Sequence, residues 1–76
     1  MFSIKVIESS TGRPVKGAKV SVYINNGITH FGFTRDVYTD YDGEAHFDKD
    51  NCNGTIYVDG QEMYEGRIEG RKVIYV

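Results

Sequence analysis

Apolar residues recur at every second position along most of the chain, in runs no longer than a single strand, and a turn-forming pair follows nearly every run. Phe2, Ile4 and Val6 alternate with Ser3 and Lys5, and Ala18, Val20, Val22 and Ile24 alternate with Lys19, Ser21 and Tyr23. Phe31 with Phe33, Val37 with Thr39, Ala45 with Phe47, and Ile56 with Val58 continue the same spacing. A weaker strand follows around residues 62–68 and a last one over 72–76. Side chains of a strand point alternately to two faces, so this period is that of half-buried strands. No window shows the 3.6-residue period of a helix.

Asn26-Gly27, Asp42-Gly43, Asn53-Gly54, Asp59-Gly60 and Glu69-Gly70 fall between the runs, where tight hairpins need positive φ. Six or seven short strands with turns this frequent predict an antiparallel sandwich or barrel. Strict alternation from Phe31 to Thr39 would aim Arg35 at the core, and an unpaired buried charge is too costly. A bulge or break is therefore expected at Arg35-Asp36. With 76 residues the chain makes one domain, spanning 1–76. A domain this small buries only about 60% of its unfolded surface, so its stability is expected to be a few kcal/mol.

Two segments go further. Thr11-Gly12-Arg13-Pro14-Val15-Lys16-Gly17-Ala18 runs into Val20-Ser21-Val22, and Thr39-Asp40-Tyr41-Asp42-Gly43-Glu44-Ala45-His46-Phe47 follows later. In order and spacing, together with Gly54-Thr55-Ile56-Tyr57-Val58, they resemble the carboxypeptidase-regulatory-like domains. These are also called transthyretin-like or prealbumin-like, and the collagen-adhesin B-type repeats are their relatives. The resemblance implies an all-β fold, a small antiparallel β-sandwich of six or seven strands with a transthyretin-like or immunoglobulin-like Greek key. Pro14, which cannot donate to a ladder, fits the loop after the first strand, with Gly12 and Gly17 allowing bends around it.

Such domains serve as spacers, carbohydrate-binding modules, peptidase accessory domains and, in a few cases, enzymes, so the resemblance implies a scaffold more than an activity. The Lys–Asn crosslink of the adhesin repeats needs an inward lysine on the first strand. Lys5 alternates to the outer face, and residues 71–76 hold no Asn or Asp. Hydroxyisourate hydrolases of this architecture end in Tyr-Arg-Gly-Ser, whereas this chain ends Val73-Ile74-Tyr75-Val76, and His30 and His46 fall in different strands. Asp40-Tyr41-Asp42-Gly43 resembles half a calcium loop, but Tyr38 stands two residues before it and no glutamate closes it. It reads instead as a hairpin turn with an acidic rim.

Charge is segregated along the chain. Residues 1–35 hold five cations against Glu8, residues 36–66 hold nine carboxylates against Lys49, and the remainder holds three cations against Glu69. An acidic middle argues against nucleic acid as a partner. Cys52 is the only cysteine and sits among Asp50, Asn51, Asn53 and Gly54, which reads as an inert, exposed thiol in a polar loop. Asn53-Gly54-Thr55 fits a glycosylation sequon but is read as a turn. No apolar run is long enough to span a membrane. The first residues lack the pattern of a signal peptide, which places the protein in the cytoplasm if this is the whole chain, and outside the cell or on its surface if it is cut from a longer one.

No nucleophile–base pair, metal cluster or cofactor motif can be assembled from the sequence, so a non-enzymatic module without cofactors is expected. It would act as a spacer or binding unit with a protein partner or neighbouring domains. Two surfaces stand out. Tyr23 and Tyr57 alternate outward, and if their strands adjoin they offer a stacking platform for a carbohydrate. Val73, Ile74, Tyr75 and Val76 form an apolar last strand, either buried on both faces or an edge that pairs with another copy as a homodimer.

Overall fold

The computed structural model describes residues 1–25 and 31–76. Eight strands follow in order: β1 (Phe2–Ile7), β2 (Lys19–Asn25), β3 (Phe31–Phe33), β4 (Val37–Tyr38), β5 (Glu44–Phe47), β6 (Cys52–Val58), β7 (Gln61–Ile68) and β8 (Arg71–Tyr75). They form two sheets, β5-β1-β8 and β3-β2-β6-β7, with β4 also paired to β2. The described residues contain no helix. The all-β sandwich is thus as expected, with one strand more than the upper count. All pairs are antiparallel except β1–β8, which is parallel, running from Ser3↔Arg71 to Ile7↔Tyr75.

Along β1, β2, β5 and β6 the alternation read from the sequence is the burial pattern, whereas Phe33 faces water. Phe2, Ile4 and Val6 from β1 and Ala45 and Phe47 from β5 face Val20, Val22, Ile56, Val58 and Ile68 of the larger sheet. Phe2 and Phe47 are paired in register and stack at 5.3 Å between ring centroids. Burial of such side chains contributes about 1.5–3 kcal/mol each, which is the main force holding a domain without disulfides.

The expected bulge at Arg35-Asp36 is present. Tyr23 pairs with Phe33 and Val20 with Val37, so three steps along β2 oppose four on the other chain segment. Thr34 holds the junction: its N–H donates to the Val22 carbonyl at 2.8 Å and its Oγ1 accepts the Val22 N–H at 3.0 Å. Because Phe33 faces outward, Arg35 is exposed by simple alternation, and what the extra residue does is turn Val37 and the buried Thr39 toward the core.

Asp59-Gly60 forms the β6–β7 hairpin with φ of 52° and 83°, as a two-residue primed turn requires. The expectation for Asn53-Gly54 fails, because both residues lie inside β6, between β2 and β7. A Cβ on Gly54 would stand 2.5 Å from the Tyr23 carbonyl oxygen, so this glycine serves a close strand approach and not a turn. Asn26-Gly27 and His30 lie outside the described residues.

Candidate functional site

Three aromatic side chains gather on the outer face of the larger sheet. Alternation along β2 and β6 turns Tyr23 and Tyr57 away from the core, and the two strands are direct neighbours, Tyr23 opposite Thr55 and Ser21 opposite Tyr57. The sequence condition for a shared aromatic surface is therefore met. The link between them is a residue the sequence reading did not single out. Phe33 pairs in register with Tyr23 and lies edge-on to it at 5.0 Å, and its ring is 5.5 Å from Tyr57 at an angle of 52°. Phe33 is 65% exposed, far more than a core phenylalanine.

Beside these rings is a depression of about 330 Å³, bordered by Tyr23, Tyr57, Asn25, Asn53, Glu62 and Glu65. Its floor is Thr55, a short side chain between longer neighbours. Glu62 and Glu65 are three residues apart, which strict alternation would send to opposite faces. A register shift after Ile56 corrects this: Thr55 pairs with Glu65 but Tyr57 pairs with Glu62. The extra residue in β7 puts both carboxylates on the aromatic face. Nothing in the sequence marks that bulge. Arg67, which also points outward, is drawn away by Glu69, with Nε to Oε1 at 2.7 Å. The surface combines ring faces with amide and carboxylate groups, the chemistry that orients a polar, ring-shaped ligand.

On the smaller sheet the structure assembles a second set of polar residues. Ser3 Oγ and His46 Nδ1 are 2.8 Å apart, and His46 Nε2 is 3.6 Å from Asp40 Oδ2. A serine, a histidine and an aspartate in line invite comparison with a nucleophile–base pair. Here Ser3 and His46 lie opposite each other on β1 and β5, Asp40 lies in the turn before β5, and the contact between Ser3 and His46 is exposed. Asp40 Oδ1 accepts the N–H groups of Asp42 at 2.9 Å and Glu44 at 3.0 Å. Those two bonds, that to Glu44 foremost, hold the Asp40 carboxyl below its ordinary range. The half calcium loop thus works as a turn cap. Among the described residues no group of three or more His, Cys, Asp and Glu side chains could hold a metal ion.

Cys52 differs from expectation. It is the first residue of β6 and 1% exposed, packed in the core. Burial pushes its thiol up, against a smaller opposing effect of the Arg67 charge. Asn51 and Asn53 on either side of it are exposed, while the cysteine alternates inward.

Lys5 lies on the outer face, opposite Glu44. The last strand resolves the two alternatives left by its sequence. Among the described residues it pairs only with β1 and is an edge of its sheet, with Ile74 inward and buried while Val73, Tyr75 and Val76 remain exposed. Among the described residues no helix is long and apolar enough to cross a membrane. Comparison of the chain with protein-family models, with curated proteins and with solved structures gave no match.

Proposed function

We propose that the chain is a non-enzymatic β-sandwich module, a spacer or interaction unit of a larger protein or assembly. Its contact surface is the aromatic face of the larger sheet. One observation carries this reading: Phe33, 65% exposed, bridges Tyr23 and Tyr57 into a continuous aromatic patch. Water-facing aromatics grouped in this way favour burial against a ligand or partner. The resemblance of segments 11–22 and 39–47 to carboxypeptidase-regulatory-like domains supports the same class of role. The exposed placement of Ser3, His46 and Asp40 supports a structural network over catalysis.

A carbohydrate is the second reading, favoured by the depression beside the rings. Asn25, Asn53, Glu62 and Glu65 offer the donors and acceptors that sugar hydroxyls need, and the rings offer stacking faces. A glycan array with the whole chain and with Phe33→Ala and Tyr57→Ala tests it. Oligosaccharide binding lost in both variants establishes the carbohydrate reading. A folded protein that binds no glycan leaves the patch to a protein contact.

A further inference from the structure

We infer that the free edge of β8 pairs with β8 of a second copy, antiparallel about a two-fold axis at Val73, joining two three-stranded sheets into one of six strands. In the parallel β1–β8 ladder, Ser3 N–H donates to the Gly70 carbonyl, Val76 N–H to the Ile7 carbonyl, and Ser9 N–H to the Val76 carbonyl. Alternate residues of a strand bond to the same side, so positions 70, 72, 74 and 76 face β1. The N–H and C=O groups of Arg71, Val73 and Tyr75 therefore point to the outer edge, a row of three donors and three acceptors.

Exposed edges are normally blunted by charge, proline, a bulge or brevity. The outer edge of β7 is interrupted by a bulge and carries Glu62, Glu65 and Arg67. The outer edge of β5 is four residues long and carries Glu44 and His46. From Val73 onward β8 carries no charge, proline or bulge. Its two cations are both turned elsewhere. Arg71 reaches across β1 to Glu44, with Nη2 to Oε2 at 3.4 Å, and Lys72 Nζ sits 3.9 Å above the Tyr64 ring.

The pattern of charge also selects the partner and its direction. A parallel copy would stack Arg71 on Arg71 and Lys72 on Lys72. An antiparallel copy centred on Val73 places Arg71 opposite Tyr75 and Lys72 opposite Ile74, and Val73 meets its own equivalent. That register alone keeps all three outward-facing residues paired within the strand. Val73 and Tyr75, 39% and 63% exposed, then cover one another on the outer face. One five-residue edge pair covers less than the roughly 1,200–2,000 Å² of a stable interface, so the dimer is weak and concentration-dependent.

Sedimentation equilibrium from micromolar to millimolar protein, with the 76-residue chain, gives the first readout. The expected result is a rise toward twice the monomer mass. Val73→Pro removes only an outward N–H, and Val73→Lys sets like charges face to face at the axis. Both are expected to remain monomeric with native amide dispersion, and Val73→Lys mixed with Val73→Glu is expected to restore the dimer. In the unaltered protein, hydrogen exchange of the Val73 amide is expected to slow as concentration rises. A monomer at millimolar concentration overturns the inference. So does a dimer that survives Val73→Lys, or a Val73 amide whose exchange ignores concentration.

Discussion

Thr39 Oγ1 accepts the Ala18 N–H at 2.8 Å and donates to the Val15 carbonyl at 2.5 Å. The backbone adds two bonds in the same place, Thr39 N–H to the Ala18 carbonyl and Gly17 N–H to the Thr39 carbonyl. These four bonds join the segment at 11–22 to the segment at 39–47. Thr39 is buried, so its hydroxyl is the partner on which two sheltered backbone groups depend. Replacing it with an isosteric valine is expected to cost about 1–3 kcal/mol, since a buried group left without a partner loses its full hydration. The measurement is the urea midpoint of Thr39→Val against Thr39→Ser. The serine variant should keep most of the stability, and a valine variant as stable as the parent would show that the hydroxyl has no part in it.

Gly43 makes the second link between those segments. It sits at φ 75°, and a Cβ there would stand 2.7 Å from the Val6 carbonyl oxygen and 2.8 Å from Pro14 Cβ. Gly60 has a similar φ of 83° with open space around it. The pair separates backbone strain from collision. Gly60→Ala is expected to cost about 1 kcal/mol, the ordinary penalty of a left-handed alanine. Gly43→Ala pays the same penalty and must also displace backbone, so its loss should exceed that of Gly60→Ala by at least about 1 kcal/mol. Thermal unfolding of both variants decides, and equal losses would show that the turn yields without resistance.

How far the sequence could be read follows from what each feature depends on. Strand positions and the inward residues of β1, β2, β5 and β6 depend on local alternation, which is visible in the chain. Features that depend on pairing register are not visible. Phe33 faces water because its strand pairs with β2 so that it meets Tyr23, and Glu62 joins Glu65 because β7 carries an extra residue against β6. Asn53-Gly54 has the composition of a turn, and only the closeness of the Tyr23 carbonyl explains a glycine within a strand there. Cys52 was hidden for a related reason: a strand that begins among polar residues looks like a loop until its partners on both sides are known.

Cys52 gives a direct check of that correction. A thiol that is buried, and whose ionisation burial opposes, reacts only when the structure opens. Labelling with a thiol-specific disulfide reagent is expected to be slow in buffer and fast in denaturing urea. Cys52→Asp should prevent folding, whereas Cys52→Ala should lower stability by about 1–2 kcal/mol. Fast labelling of the folded protein would return the residue to the surface.

Asp40 contributes to the acid limb of stability. Its carboxyl lies below the ordinary value of 3.8 because it accepts the Glu44 and Asp42 N–H groups, with His46 adding to the effect. A carboxyl lowered on folding favours the fold while ionised. The contribution is complete above 3.8 and is lost as pH falls through the folded value. Asp40→Asn keeps an oxygen for the turn but removes the charge. The variant is expected to melt lower than the parent at neutral pH, with the difference closing in acid. A melting-temperature difference that stays constant from neutral pH to about pH 2 would show that the charge has no part in it.

Phe33 separates binding from stability on the aromatic face. With 65% of its surface exposed, it contributes little buried area, and its main contacts are the Tyr23 and Tyr57 rings. Phe33→Ala is therefore expected to lower stability by no more than about 1 kcal/mol, near the value of an aromatic pair at a surface. Val22→Ala, which empties a fully buried position on the neighbouring strand β2, is expected to cost about 2 kcal/mol or more. Denaturation curves of the two variants check the order. If Phe33→Ala proves as costly as Val22→Ala, the ring is part of the core and the patch is structural. A small loss, with ligand binding removed, assigns the ring to the contact surface. The distinction rests on Phe33 because Tyr23 and Tyr57 are half-buried, whereas Phe33 is exposed.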